Sequence, residues 1–312
     1  MNDNLQFRLA TPEDDARVLA LFRESFQRDI PLYYWKWFSY DCPTGINRTT
    51  VIEDLEKKRF AGSYSLLPIR LSLNGFEVKA SLCTNVNTHP DYRGQNLFTR
   101  IGSYALEHER DFDTPISLGM PNKNAYPGHM KVGWDVMCDL QFLVKSDNQE
   151  KHHDCVTIDR FDSGFDTFFN RIAQNYQFIV LRDHRFINWR IADRPDRVYT
   201  SYGFFQTGVL QGYVILKKFD DMGYKKAHIL DFQAVTDTAF HHLVAAAECY
   251  AKDCDELNLW TNLYNPYASR FAAYGFVTKS NSDVLIVHAN YGEKKAAAPG
   301  AWWFCLADND VY

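Results

Sequence analysis

A strand-like apolar run, Ser81–Thr88, leads into His89-Pro90-Asp91-Tyr92-Arg93-Gly94-Gln95 and then into an amphipathic helix predicted over Phe98–Glu109, with Phe98, Ile101 and Ala105 on one face. This order constrains the chain more than any other feature. The first-turn amides of a helix have no partner within it and point out of its start, here beside the Arg93 guanidinium. Such a position stabilises an anion by roughly 0.3–1 kcal/mol when exposed and up to about 2 kcal/mol when partly buried, and a pyrophosphate is a natural guest. The plain alternative is a basic loop that merely joins strand to helix, since short glycine motifs recur by chance. The flanking elements decide between the two.

Upstream, strand Leu5–Leu9 precedes Thr11-Pro12-Glu13-Asp14, which combines an N-cap, an N1 proline and first-turn acids ahead of a helix to about Phe26. Downstream come a short strand, Ile116-Ser117-Leu118, then Asn122-Lys123-Asn124-Ala125, a predicted helix, and Gly133-Trp134. In this order, residues 5–145 resemble the GNAT superfamily of acyl-CoA N-acyltransferases, whose Q/R-x-x-G-x-G/A loop wraps the pyrophosphate of coenzyme A. Two positions depart from that signature: Asn96 stands where the loop glycine is expected and Phe98 where a Gly or Ala is expected. Asparagine is the non-glycine residue that most readily adopts a left-handed backbone, so the loop is expected to form. Phe98 reads more simply as the first core residue of the helix than as a ligand contact. The resemblance implies a coenzyme site made by Val86, Asn87 and Thr88 of the strand, Arg93, Gly94, Gln95, Asn96, Leu97, Phe98 and Thr99 of the loop and helix start, and Asn122 and Asn124.

The chain has 312 residues, more than one ordinary core serves, so two domains are expected, and 15% aromatic residues are ample to fill two cores. A net charge of −5 without any lysine/arginine run argues against a nucleic-acid partner, which clustered cations would have to hold. The longest apolar segments are strand-sized and Met1-Asn2-Asp3-Asn4 begins no signal pattern, so neither membrane insertion nor export is expected. Seven cysteines without metal-type spacing read as reduced thiols of a cytoplasmic protein, and no metal is expected. The polar run Lys145–Asp154, with His152 and His153, reads as a solvated linker. A monomer and a homodimer are both compatible with this composition.

Beyond that linker the order of elements returns: helices near Asp166–Tyr176 and Arg185–Ile191, strands Val198–Tyr202, Val209–Lys217 and His228–Val235, helix Thr238–Lys252, strand Glu256–Trp260, helix Pro266–Tyr274 and strand Asp283–Ala289. This looks like a second, degenerate GNAT domain. After Val235, Thr236-Asp237-Thr238 replaces the Arg-Gly loop, and an aspartate there suits capping but repels a pyrophosphate. The expected fold is therefore α/β (α+β), with two tandem GNAT-like domains, each a mixed, largely antiparallel sheet flanked by helices. Residues 1–147 would be the acyl-CoA domain, 148–156 the linker, and 157–312 the part that shapes the acceptor site.

The resemblance implies that a neutral amine attacks an acyl thioester and that coenzyme A leaves as a thiolate needing a proton. The family's tyrosine acid lies four residues before the exit glycine, where this chain has His129; Tyr126, one turn earlier, is the other candidate acid, and neither is a third reading. His89 is a candidate base, with orientation of the loop as the alternative. An acceptor amine with a pKa near 8 is neutral roughly one time in ten at pH 7 and needs no strong base. The acceptor wall is expected in Tyr33–Phe38, with Tyr34, Trp35 and Lys36 as substrate contacts and helix packing as the plain alternative. The Trp-Lys-Trp run and the tandem layout resemble GNAT proteins of bacterial surface-polysaccharide synthesis, which implies an amino sugar, often nucleotide-linked (dTDP or UDP), as acceptor. Acylation of proteins or small amines remains within the same chemistry, and a non-catalytic acyl-CoA sensor or assembly protein is the alternative of another class.

Overall fold

A computed structural model describes residues 4–262, 264–291 and 302–309. In chain order the first half runs β1 (Leu5–Leu9), α1 (Asp15–Phe26), α2 (Leu32–Tyr40), β2 (Arg48–Asp54), β3 (Arg59–Leu73), β4 (Phe76–Thr88), α3 (Leu97–His108), β5 (Ile116–Gly119), α4 (Tyr126–Val132) and β6 (Asp135–Lys145). The second half runs β7 (Val156–Thr157), α5 (Ser163–Ala173), β8 (Phe178–Val180), α6 (His184–Ile187), β9 (Thr200–Gln206), β10 (Val209–Asp221), β11 (Tyr224–Ala234), α7 (Asp237–Tyr250), β12 (Glu256–Thr261), α8 (Ala268–Ala273), β13 (Val277–Ala289) and β14 (Trp302–Trp303). The expected mixed α/β class, with helices on largely antiparallel sheets, is the one observed.

The residues form two compact units. Unit 1 holds the residues up to Arg70, Val78–Met137 and the stretch from Asp283; unit 2 holds Leu71–Glu77, Cys138–Ser282 and 302–309. The chain passes between units within β3, β4, β6 and β13, and the polar run at 148–156 lies inside unit 2.

In unit 1 the strand order is β1-β2-β3-β4-β5 and then the end of β13. β4 and β5 are parallel, and β5 pairs antiparallel with Ile286–Ala289 of β13. Unit 2 repeats this scheme in the order β6-β12-β11-β10-β9-β7, with β11 parallel to β12 and β12 antiparallel to Gln141–Lys145 of β6. Each half therefore completes its sheet with the other half's final strand. No periodicity within one half carries that information.

The core of unit 1 packs α3 onto the sheet through Leu97, Ile101, Ala105 and Leu106 against Ile52, Ala61, Tyr64 and Trp134. A second cluster seats α1 and α2 through Val18, Leu21 and Trp35 on Val51 and Phe60. Both helix starts follow from local chemistry. Thr11 opens the first, where Asp14 accepts its amide at 3.0 Å and Arg8 at 2.6 Å. Thr236 opens α7, its Oγ1 accepting the Ala239 amide at 3.1 Å.

Unit 2 carries a fully buried ionic group. Arg182 lies between Asp231, whose Oδ2 is 3.1 Å from Nε, and Asp308. Tyr213 Oη at 2.7 Å and Trp303 Nε1 at 3.1 Å donate to Asp231, and Arg182 Nη1 donates to the Val180 carbonyl at 2.7 Å. With β14 paired to β8, this ties residues 302–309 into the unit. Truncating one partner of a buried ion group strands the others, at a cost of about 3–5 kcal/mol. Arg182→Met is therefore expected to lower the urea midpoint of unfolding by that equivalent, a loss an equilibrium urea titration would register.

Candidate active site

The turn before the loop is held at three points. Tyr92 is 2% exposed and its Oη donates to Asp54 Oδ2 at 2.6 Å. Arg59 Nη2 donates to Asp91 Oδ2 at 2.5 Å. His89 Nδ1 accepts the Asp91 amide at 3.1 Å, which places the ring proton on Nε2, 3.1 Å from Glu24 Oε2. Both ring nitrogens are thereby engaged. His89, a candidate base in the sequence, is held by contacts to the turn before the loop and to Glu24.

Past this turn the backbone takes the shape an anion needs. Gly94 and Asn96 are left-handed, with φ of 78° and 56°, so Asn96 does the work of the glycine it replaces. Among the described residues no chain atom accepts from the amides of Gln95, Asn96, Leu97, Phe98 or Thr99. The Gln95 side chain folds back to the Asp91 carbonyl at 3.4 Å. Arg93 is exposed; its Nη2 donates to the Ser25 carbonyl at 3.1 Å, which holds the guanidinium on the C-terminal turn of α1.

The strand before the loop opens in the same region. β4 pairs with β5 only through Ala80, Ser81 and Leu82, and Asn85 then turns through φ 46°. The β5-side edge of residues 83–88 is left for another partner. Within it Val86 packs against the core, Thr88 is half-buried, and Asn87 Oδ1 is buried with no hydrogen-bond partner among the described residues. An orphan of this kind costs about 1–3 kcal/mol. The amide N–H groups of a pantetheine arm along this edge would satisfy it, and five open amides at its end suit a pyrophosphate, so these residues fit coenzyme A.

The other departure from the signature is compensated across the helix pair. The Phe98 ring lies where a Cβ on Gly128 would come within 2.5 Å, so a large residue at the start of α3 requires glycine on α4. Gly102 is constrained likewise by Val132 and Tyr64. Phe98 is thus a packing residue. Asn122 Oδ1 accepts the amides of Asn124 and Ala125, each at 3.0 Å, and so shapes the entry to α4; Asn124 is exposed.

His129 is 3% exposed, edge-on to the rings of Tyr64, Phe98 and Trp134, with Nδ1 3.2 Å from Tyr64 Oη. Burial pushes its pKa down to about 4, so it is neutral at pH 7 and holds no proton for a leaving thiolate. Burial raises the Tyr64 phenol well above its usual value, with Cys83 as a further cause. Tyr64 carries no motif, and sequence reasoning passes it over. Tyr126 is half-buried at the start of α4 and packs against the core of unit 1.

Helix α2 divides the expected acceptor wall. Trp35 is 3% exposed and donates to Asp15 Oδ1 at 2.7 Å, an acceptor shared with Tyr40 Oη at 2.6 Å, so it packs α2 onto α1 and does not reach solvent. Tyr34 is half-buried on Trp37 and Phe38, while Tyr33 and Lys36 are exposed.

Residues 6–137 match the family model described as an acetyltransferase (GNAT) domain. This part of the chain is similar to a GNAT domain. Its solved relatives are distant. A GCN5-related N-acetyltransferase from Anabaena variabilis shares 16% identity at a TM-score of 0.70, covering 92% of this chain and 73% of that one. A probable N-acyltransferase from Enterococcus faecalis shares 13% at 0.71, covering 91% and 72%. Saccharomyces cerevisiae N-myristoyltransferase with bound myristoyl-CoA shares 11% at 0.63, covering 91% and 82%. Comparison with curated protein sequences finds no match. Among the described residues no helix is long and apolar enough to cross a membrane.

Two measurements follow for unit 1. Gly128→Ala is expected to destabilise by about 1–3 kcal/mol through the clash with Phe98, and a double-mutant cycle with Phe98→Leu should recover most of that loss. His129 has a folded pKa of about 4 against an ordinary 6.5, so the unfolded chain binds more protons between those values. Its contribution, roughly 3 kcal/mol, is complete above pH 6.5 and lost as pH falls towards 4. His228 in unit 2 is pushed to about 4 in the same way. Burial also lowers His153 and His288; stability measured from pH 7 to 4 should fall, and His129→Gln should make that fall smaller.

Proposed function

We propose that the chain is an acyl-CoA-dependent N-acyltransferase whose acceptor is the amine of an amino sugar, carried on dTDP or UDP, in the cytoplasmic synthesis of a surface polysaccharide. The open edge of β4, running into the five amides from Gln95 to Thr99 that no atom of the described residues accepts, supports the acyl-CoA part of this reading. Exposed Tyr33 and Lys36 support a sugar-phosphate acceptor, since an aromatic face suits a pyranose ring and an ammonium suits phosphate.

Acyl-CoA supplies the activated acyl group. The chain's amides at 95–99 and the Arg93 side chain hold the diphosphate; the β4 edge aligns the pantetheine arm; Tyr126 gives its proton to the departing sulfur. His129, neutral and walled by rings, keeps water from α4 and positions Tyr64. No side chain need act as a strong base, because an amine of pKa near 8 releases its proton to water often enough. The second half acts as a degenerate GNAT-like domain that shapes acceptor binding. At the start of α7 the Asp237 carboxylate, paired with Arg270 at 2.7 Å, would repel an anion at that helix start.

Release of free thiol from acyl-CoAs, from acetyl to the myristoyl chain that the yeast neighbour binds, tests this against nucleotide-linked amino sugars, peptides and polyamines. Turnover confined to amino sugars is expected. Binding of coenzyme A without turnover of any amine would replace the enzyme reading by that of an acyl-CoA sensor. Arg93→Ala should raise the acyl-CoA KM about tenfold, the equivalent of roughly 1.4 kcal/mol for one charged contact. Tyr126→Phe should lower kcat while KM holds; equal kcat would leave thiolate protonation to water.

A further inference from the structure

One face of the unit 1 sheet carries buried polar atoms that no described residue satisfies. Tyr64, Leu66 and Cys83 pack into the core beneath α3, so by the alternation of a strand Ser63 and Ser65 of β3 and Thr84 of β4 lie on the opposite face. That is the face on which Val51 and Phe60 seat α1 and α2. Thr49 pairs with Ser65 in register, and their hydroxyl oxygens are 2.9 Å apart. Asn47 Nδ2 donates to Thr49 Oγ1 at 3.4 Å, and the Asn47 amide donates to the Ser39 carbonyl near the end of α2 at 2.9 Å. Ser63 Oγ donates at 3.4 Å to the carbonyl of Asn85, the residue after Thr84, which ties β4 into the same row.

Ser39, Asn47 and Thr84 are only 2%, 6% and 3% exposed, yet Ser39 Oγ, Asn47 Oδ1 and Thr84 Oγ1 have no hydrogen-bond partner among the described residues. Folded chains pair nearly all such groups, so three in one row call for a partner from outside the chain. A carboxamide oxygen only accepts, whereas a hydroxyl donates or accepts, so that partner has to bring donors and is free to bring acceptors. Ser39, Asn47, Thr49, Ser63, Ser65 and Thr84 include no charged side chain, which suits a neutral polyol and neither an ammonium chain nor a phosphate. Thr84 belongs to the stretch of β4 whose β5-side edge is open, and Ser39 follows Lys36 by three residues, about one turn of α2. The row thus runs from the helix that carries Lys36 to the strand that offers the thioester edge.

We propose that Ser39, Asn47 and Thr84 bind hydroxyl groups of the acceptor's sugar ring and so select a sugar over a polyamine or a lysine side chain. This rests on the acyl-transfer reading above and gives that reaction its specificity site.

The test titrates the full chain, with coenzyme A present, calorimetrically with UDP- and dTDP-linked aminohexoses and with spermidine. An aminohexose is expected to bind, and Thr84→Val and Ser39→Ala are each expected to weaken it about tenfold, the loss for one hydrogen bond to a ligand. Coenzyme A affinity and the urea midpoint should hold, because each replacement removes an unpaired hydroxyl at nearly constant volume. Binding of no aminohexose, or equal affinity in both variants, would overturn the site, since the row would then hold only water. So would binding of spermidine that the variants weaken as much. Thiol release in the same samples reads the acyl-transfer proposal separately: sugar binding that the variants weaken, without turnover in the unaltered chain, would remove the enzyme reading and leave the sugar site standing.

Discussion

The amides at the start of α3 are open only because the turn before them is held elsewhere. A free loop would fold back on its own donors. Here Tyr92 is buried onto Asp54, Asp91 is taken by Arg59, and His89 is fixed between a backbone amide and Glu24. With the turn immobilised, left-handed Gly94 and Asn96 carry the chain into the helix without closing over its first turn. The parting of β4 from β5 after Leu82 then places an open strand edge beside an open helix start.

Packing around α4 shows how one position can leave a family's pattern without loss of the fold. A glycine or alanine at the start of α3 would lie flat against α4. The Phe98 ring needs the missing Cβ of Gly128, and that ring in turn forms one wall around His129. An imidazole so enclosed is neutral. The same burial that makes it a good wall makes it a poor acid, and the proposed proton donor is therefore Tyr126.

Unit 2 holds a buried group of charges around Arg182. Around Arg182, Asp231 and Asp308 supply carboxylates; Tyr213 and Trp303 donate to Asp231 and the Cys305 amide to Asp308, a group suited to holding residues 302–309.

The sequence by itself determined whatever local chemistry decides. Thr11-Pro12 and Thr236-Asp237 announce helix starts because a cap needs only its own next few residues. The strand, Arg-Gly loop and helix of 81–109 are legible for the same reason, and so is the willingness of Asn96 to turn left-handed. Long, mostly buried β2 and β3 carry little alternation and no motif, so nothing local marks them. Only the tertiary structure decided that β6 completes the sheet of the second half and β13 that of the first, because strand pairing is a contact between distant segments. It also decided that Trp35 faces inward and that His129 is neutral. Both depend on which side chains close around a residue, and spacing along a chain does not specify its neighbours in space.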